Sequence, residues 1–146
     1  MLSTRRRDRG SVLMLMPAAV LVMIVLGSIA VDFAIAFLGE RELASLASAA
    51  ANDAATAAYD VERFREDGTF VLDLDRAEQI VATTIGASST EVDLEPPTVE
   101  SVTIDGDPGI RVTLRGTVGY VFARAIPGLP NRAEVEATAV AVAREG

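Results

Sequence analysis

Ser11-Val-Leu-Met-Leu-Met-Pro-Ala-Ala-Val-Leu-Val-Met-Ile-Val-Leu-Gly-Ser-Ile-Ala-Val31 runs for 21 residues without a charge. A helix rising about 1.5 Å per residue needs roughly 20 residues to cross about 30 Å of hydrocarbon. In lipid each backbone amide must be satisfied within its own segment, so this stretch is expected to be α-helical. Its flanks differ sharply in charge. Arg5, Arg6, Arg7 and Arg9 precede it with Asp8 as the only acid, whereas from Gly39 onward nine arginines face nineteen acids. A basic head, an uncharged span and an acidic body form the profile of a single-pass membrane protein. The four arginines place the N-terminus in the cytoplasm and the body outside. A secretory signal also starts basic and turns apolar, but its apolar region is about 7–15 residues. Here the pattern is longer and continues helically past Asp32, which favours a retained anchor over a removed leader.

The rest of the composition narrows the function. The chain has 146 residues, a net charge of −8, and no Cys, His, Trp or Lys. Without Cys or His there is no thiolate nucleophile, no Ser/His/Asp triad within the chain, and neither of the usual zinc ligands. The acidic balance argues against nucleic acid as a partner, because phosphate recognition needs a basic face. No Gly-rich phosphate loop is present. The expectation is a protein that is not an enzyme and needs no cofactor.

Beyond the span, 40–59 is dense in alanine, the best helix former. Leu43, Leu46, Ala47, Ala50, Ala54, Ala57 and Ala58 recur at helical spacing, with Arg41, Glu42, Ser45, Ser48, Asn52, Asp53 and Thr56 between them. This reads as an amphipathic helix with a small-residue stripe. Continuous with the apolar span, it predicts one helix over about 11–59, on the order of 70 Å long. Pro17 removes one backbone hydrogen bond and is a candidate kink. Gly39 is a candidate bend. Gly27, Ala30 and Ala34 form a narrow track suited to helix packing, although ordinary membrane-helix composition gives the same residues. Asp32 lies near the expected outer boundary. It is read as an interfacial residue or a polar contact between helices rather than an ion pathway.

The body after residue 60 reads as a small α+β domain. An Asp67-Gly68 turn and the alternation of Phe70, Leu72 and Leu74 suggest a short strand. Asp75 and Glu78 have the capping-box spacing for a short helix, with Asp75 as its N-cap. Ala77, Ile80, Val81 and Ile85 then face inward and Gly86 stands at its end. A polar connection over 87–97 closes on Pro96-Pro97. Three strands follow, over 98–104, 110–120 and 133–143. Ile110, Val112, Leu114 and Val118 share one face of the second, and Val135, Ala137, Ala139 and Ala141 one face of the third. The small residues of the third strand leave room for a helix, either 40–59 or 75–86. The fold class is α+β: a long N-terminal transmembrane helix continuing into a small domain with a short helix and a three-stranded antiparallel sheet. The organisation is a basic cytoplasmic stub (1–10), the transmembrane helix (11–38), its amphipathic continuation (39–60) and an extracytoplasmic domain (61–146).

Acidic pairs have simple structural readings. Asp105-Gly-Asp-Pro-Gly109 is a hairpin turn, since a calcium loop needs six to eight oxygens at set spacing. Asp73 and Asp75 flank Leu74 without any sign of a cleft, and helix capping accounts for Asp75. The segment Tyr120-Val-Phe-Ala-Arg-Ala-Ile-Pro-Gly-Leu-Pro130 is different. It joins two strands yet carries one charge in eleven residues, fewer than a solvent loop normally has. Either it tucks beneath the sheet as a short helix, or Tyr120, Phe122, Ile126 and Leu129 form a contact patch for a partner or the membrane surface.

The order of these pieces resembles the TadE/TadG-like proteins of Tad (Flp) pilus-assembly systems, which share the plan of type IV pilin-like proteins. Arg9-Gly10-Ser11-Val12 is similar to their Arg-Gly start, and Val31-Asp32-Phe33 to the step that ends their membrane helix. The alanine-rich segment over 46–58, Leu46-Ala-Ser-Ala-Ala-Ala-Asn-Asp-Ala-Ala-Thr-Ala-Ala58, resembles their segment centred on an Ala-Asp-Ala-Ala core. Val112-Thr-Leu-Arg-Gly-Thr-Val118, the apolar loop and Val135-Glu-Ala-Thr-Ala139 resemble their closing strands. The resemblance implies a membrane-anchored, non-catalytic minor pilin or assembly component, with other pilins and assembly-platform proteins as partners. It also implies a prepilin-peptidase cut between Gly10 and Ser11. The fifth residue after Gly10 is Leu15, where TadE-type pseudopilins carry Glu. The chain is shorter than the TadG-type members with an adhesion-like domain, so a short TadG-like form is expected. The alternative is a single-pass anchored ectodomain that binds or senses a ligand outside any fibre.

Overall fold

The structure, a computed structural model, describes residues 8–58, 65 and 71–143, with side chains from residue 15 onward. One helix, α1 (Asp8–Ala57), runs unbroken for 50 residues and passes through Pro17. That confirms the continuous helix expected from the sequence. It is long and apolar enough to span a membrane, and the most apolar stretch is not buried by the rest of the chain. Leu15, Met16, Leu21, Met23, Leu26 and Ile29 are exposed. A helix apolar on every side is stable in water only when enclosed, and among the described residues nothing encloses it.

The upper half of α1 is packed. Leu43, Ala47, Ala50, Ala51, Ala54, Ala55 and Ala58 are buried. The stripe is wider than expected, with Ala51 and Ala55 added and Ala57 left exposed. Two elements cover this half, a second helix and the sheet, so a wider arc of alanines is enclosed. The second helix, α2 (Leu74–Ala87), is tied to α1 where the Thr84 hydroxyl donates to Asp53 Oδ2 at 2.9 Å. Its N-cap is Asp73, which accepts from Arg76 N–H at 3.1 Å, rather than Asp75. Asp75 instead sits in the first turn, where its charge complements the helix dipole. The C-cap is Ser88, one residue past the helix, so Gly86 lies within the last turn and does not end it. Leu72 forms an isolated bridge, not part of a strand; Phe70 and the Asp67-Gly68 turn lie outside the described residues.

The described residues form one antiparallel sheet of four strands: β1 (Asp93–Leu94), β2 (Thr98–Ile104), β3 (Asp107–Gly119) and β4 (Arg132–Val142). The expected three strands are present, and the connection over 87–97 contributes the short β1. Strand β3 is central. It pairs with β4 along one edge and with both β1 and β2 along the other. Leu94 lies opposite Gly116 and Thr98 opposite Thr113, and Glu95 N–H donates to Arg115 C=O at 2.8 Å. Pro96 and Pro97 together therefore face Leu114, the two-against-one count of a β-bulge on an edge. Proline lacks the N–H a ladder needs, so the bulge falls where two prolines interrupt it. The β2–β3 hairpin turns at Asp105-Gly106, both at positive φ (53° and 96°), as a two-residue Asp-Gly turn requires.

Alternation on β3 sorts the faces. Ile110, Val112, Leu114 and Val118 are buried on the helix side. On the outer face the Thr113 and Thr138 hydroxyls meet at 2.9 Å and Arg115 Nε lies 2.8 Å from Glu136 Oε2. The hydrogen bond and charge of Arg115 hold the Glu136 carboxyl below the usual carboxylate range.

Gly39 is a point of close approach between helix and sheet. A Cβ at position 39 would lie 2.7 Å from Val118 Cγ1. The glycine thus admits β3 against the helix. Gly39→Ala is expected to yield no gain in thermal stability, although alanine is favoured over glycine in helices by about 1 kcal/mol. Overpacking against the stiff Val118 costs on the order of 1–3 kcal/mol and offsets the gain. In a Val118→Ala background, where the clash is gone, Gly39→Ala should recover the helix-propensity benefit, which thermal unfolding of the double variant against Val118→Ala alone checks.

Candidate functional site

The two features the sequence singled out separately, Asp32 and the apolar loop, meet. Asp32 Oδ1 accepts from Val121 N–H at 2.8 Å and Phe122 N–H at 3.1 Å, and Oδ2 accepts from Ala123 N–H at 2.8 Å. Asp32 is buried, the one buried charged side chain among the described residues. An ionised carboxylate is acceptor-only and can take several donors. Three successive amides at the start of a single 3-10 turn (Ala123–Ala125) present such donors together. Asp32 therefore makes a polar contact within the chain, to loop backbone.

The loop has its own order. Tyr120 N–H donates to Asn131 C=O at 2.9 Å and closes its neck. Ala125 N–H bonds Phe122 C=O, Ile126 N–H bonds Ala123 C=O, and Leu129 N–H bonds Ile126 C=O. Arg124 Nε bonds Tyr120 C=O at 2.8 Å. Gly128, at φ 89°, makes the return bend between Pro127 and Pro130. A short helical turn is present, as one expectation had it, but it does not bury the loop. Val121, Phe122, Ile126 and Leu129 remain exposed, and Tyr120 is half-buried.

The remaining residues with an expected role are placed as follows. Gly10 and Ser11 lie in the opening turns of α1. Gly27, Ala30 and Ala34 are exposed, and nothing lies within 4 Å of a Cβ built on Gly27. The track is open on its surface. Asp105 is in the hairpin turn, Asp107 opens β3 opposite Ile104, and Asp73 is a cap. Among the described residues no group of three or more His, Cys, Asp or Glu side chains is placed to hold a metal ion. What sequence reasoning missed is the pairing itself. Asp32 and Val121 are 89 positions apart, and a carboxylate that captures backbone N–H leaves no side-chain partner to recognise.

Fold and site together define a class: a small α+β head packed on the upper half of a single long helix whose lower half is apolar and bare. Compared with protein-family models, with curated proteins and with solved structures, the chain matches none.

Proposed function

We propose that this protein is a membrane-anchored, non-catalytic minor pilin or assembly component of a Tad/Flp-type pilus. The observation that carries the reading is the division of α1. Its lower half is exposed and apolar around its circumference, and its upper half is enclosed by a head domain. A subunit of this shape stands in a bilayer with its head outside and offers its bare helix for lateral packing against similar helices. Gly27, Ala30 and Ala34 supply a surface on which another helix can approach closely. The four arginines of the stub orient the N-terminus to the cytoplasm. The order of motifs resembling TadE/TadG-like proteins supplies the choice of fibre system.

Deleting the gene is expected to abolish or shorten surface pili, counted by electron microscopy of shear-released fibres; a normally piliated deletion strain would refute the reading. N-terminal sequencing of the mature chain separates the forms the subunit takes. A start at Ser11 means pilin-type processing, a start at Met1 a permanent anchor, and a start beyond residue 30 means the apolar stretch is a removed leader.

A further inference from the structure

We propose that the tip of the β3–β4 hairpin, residues 121–130, is a second membrane contact: it seats its apolar side chains in the interfacial layer of the bilayer that α1 crosses, and Asp32 sets its depth. The inference rests on α1 spanning the membrane and does not need the pilus reading.

Direction comes first. Val118 lies against Gly39, and three to five residues later the chain lies against Asp32. Between these points β3 descends α1 by seven helical residues, about 10 Å. The hairpin therefore points its tip toward the apolar half of the helix. The charge-free stretch ending at Val31 is about 31 Å long, the thickness of a hydrocarbon core, so Asp32 marks its outer boundary. The tip hangs at that level. Phe33, Phe37 and Leu38 are exposed on α1 just above it, before the charged Glu40, Arg41 and Glu42. Aromatic side chains at such a boundary are typical of the interfacial belt.

Backbone chemistry comes second. Irregular backbone enters an apolar layer only if its polar groups are satisfied. Of the ten tip positions, three amides go to Asp32, three close turns inside the loop, and Pro127 and Pro130 carry no N–H, which accounts for eight and leaves the amides of Arg124 and Gly128. Asp32 does for this loop what water does for an ordinary one.

Charge comes third. The body carries nineteen acids from Gly39 onward, and an anionic leaflet repels such a head. The tip carries no acid and one base, Arg124. An arginine at the interface keeps its guanidinium among phosphates while its stem lies along apolar surface. The exposed Val121, Phe122, Ile126 and Leu129 belong to the loop that Asp32 ties to α1 at the end of its apolar stretch, which makes lipid the occupant rather than a protein.

The chain has no native cysteine, so single cysteines report unambiguously. The full chain is reconstituted in vesicles of phosphatidylcholine and phosphatidylglycerol. An environment-sensitive fluorophore is placed at Ile126→Cys or Leu129→Cys, with Ala30→Cys as the membrane reference and Gln79→Cys as the water reference. The expected result is quenching of the 126 and 129 labels by shallow nitroxide lipids. Iodide quenching there should fall several-fold below that at position 79, at a depth of about 5–10 Å into the headgroup boundary. Adding Asp32→Ala should raise iodide quenching at 126 several-fold. Tip labels as open to iodide as position 79, with position 30 protected, would overturn the proposal and leave the spanning helix intact. Tip labels shielded from iodide but untouched by nitroxide lipids would overturn it in favour of a second copy of the chain. Iodide access at position 30 would overturn the spanning helix and this inference with it.

Discussion

Asp32→Ala is expected to release the hairpin tip and to lower the unfolding free energy of the head by about 3 kcal/mol. Two effects oppose each other. Removing a carboxylate from the edge of an apolar layer relieves a desolvation cost, which for an acid at the centre of a membrane helix is about 2.5–3.5 kcal/mol and falls toward the interface. Against this, Val121, Phe122 and Ala123 lose their acceptor together. Hydrogen bonds to a charged group contribute about 1.5–3 kcal/mol each, and a buried donor left unpaired costs about 1–3 kcal/mol. Three such donors outweigh one relieved charge at a boundary, so the balance is destabilising. Asp32→Leu should behave like Asp32→Ala, because filling the space does not supply an acceptor. Asp32→Asn keeps one acceptor oxygen and should lose less. Amide exchange of the full chain in micelles reads this directly. The amides of 121–123 should be protected in the wild type and exchange rapidly in Asp32→Ala. Unchanged protection would show that the carboxylate does not hold the loop.

The same site shows what a sequence discloses and what it conceals. The long helix is legible because charge, hydropathy and alanine density vary along one dimension, and a helix is a local object. The strands on either side of Asp105-Gly106 are legible because alternation and turn chemistry agree. The cap of α2 lies two residues before the expected Asp75, because Asp73 and Asp75 both offer a carboxylate at the same boundary and only a tertiary hydrogen bond to Ala58 decides between them. Asp73 N–H is already bonded to Ala58 C=O at 2.8 Å, which fixes Asp73 where the helix begins. Strand β1 is hidden because Asp93 and Leu94 carry no alternation of their own; they pair only because β3 is long enough to reach them. Gly39 looks like a hinge from its place in one helix, whereas its reason lies in Val118, 79 positions later. Asp32 and the apolar loop are each anomalous alone, an acid beside lipid and a loop with a single charge. Either anomaly is explained by the other once topology brings them together.

Ile110→Ala is expected to destabilise the head in the upper part of the roughly 2–5 kcal/mol range for large-to-alanine core changes. The cost of a cavity depends on whether its walls can move in. Ile110 is fully buried on the helix-covered face of β3, beside Val112 and Leu114. On α1 most of the surface enclosing this core is alanine, Ala47, Ala50, Ala51, Ala54 and Ala55 beyond the single Leu43, and alanine has no longer rotamer to swing into the space. Its cross-strand neighbour on β4 is Ala141, which cannot fill it either. Closing the gap would require the backbone of α1 to shift, and its lower end is held at Gly39 and Asp32. The void therefore persists and its lining loses dispersion contacts outright. Val140→Ala is the matched control. It is β-branched and on the neighbouring strand, but it points outward and is 41% exposed. A surface change of that kind stays within about 0.5 kcal/mol. Urea unfolding of both variants in the full chain should shift the midpoint strongly for Ile110→Ala and scarcely for Val140→Ala, with the slope unchanged in both. Equal shifts would mean that α1 does not lie on this face of the sheet, and the division of the helix into a bare half and a packed half would fail with it.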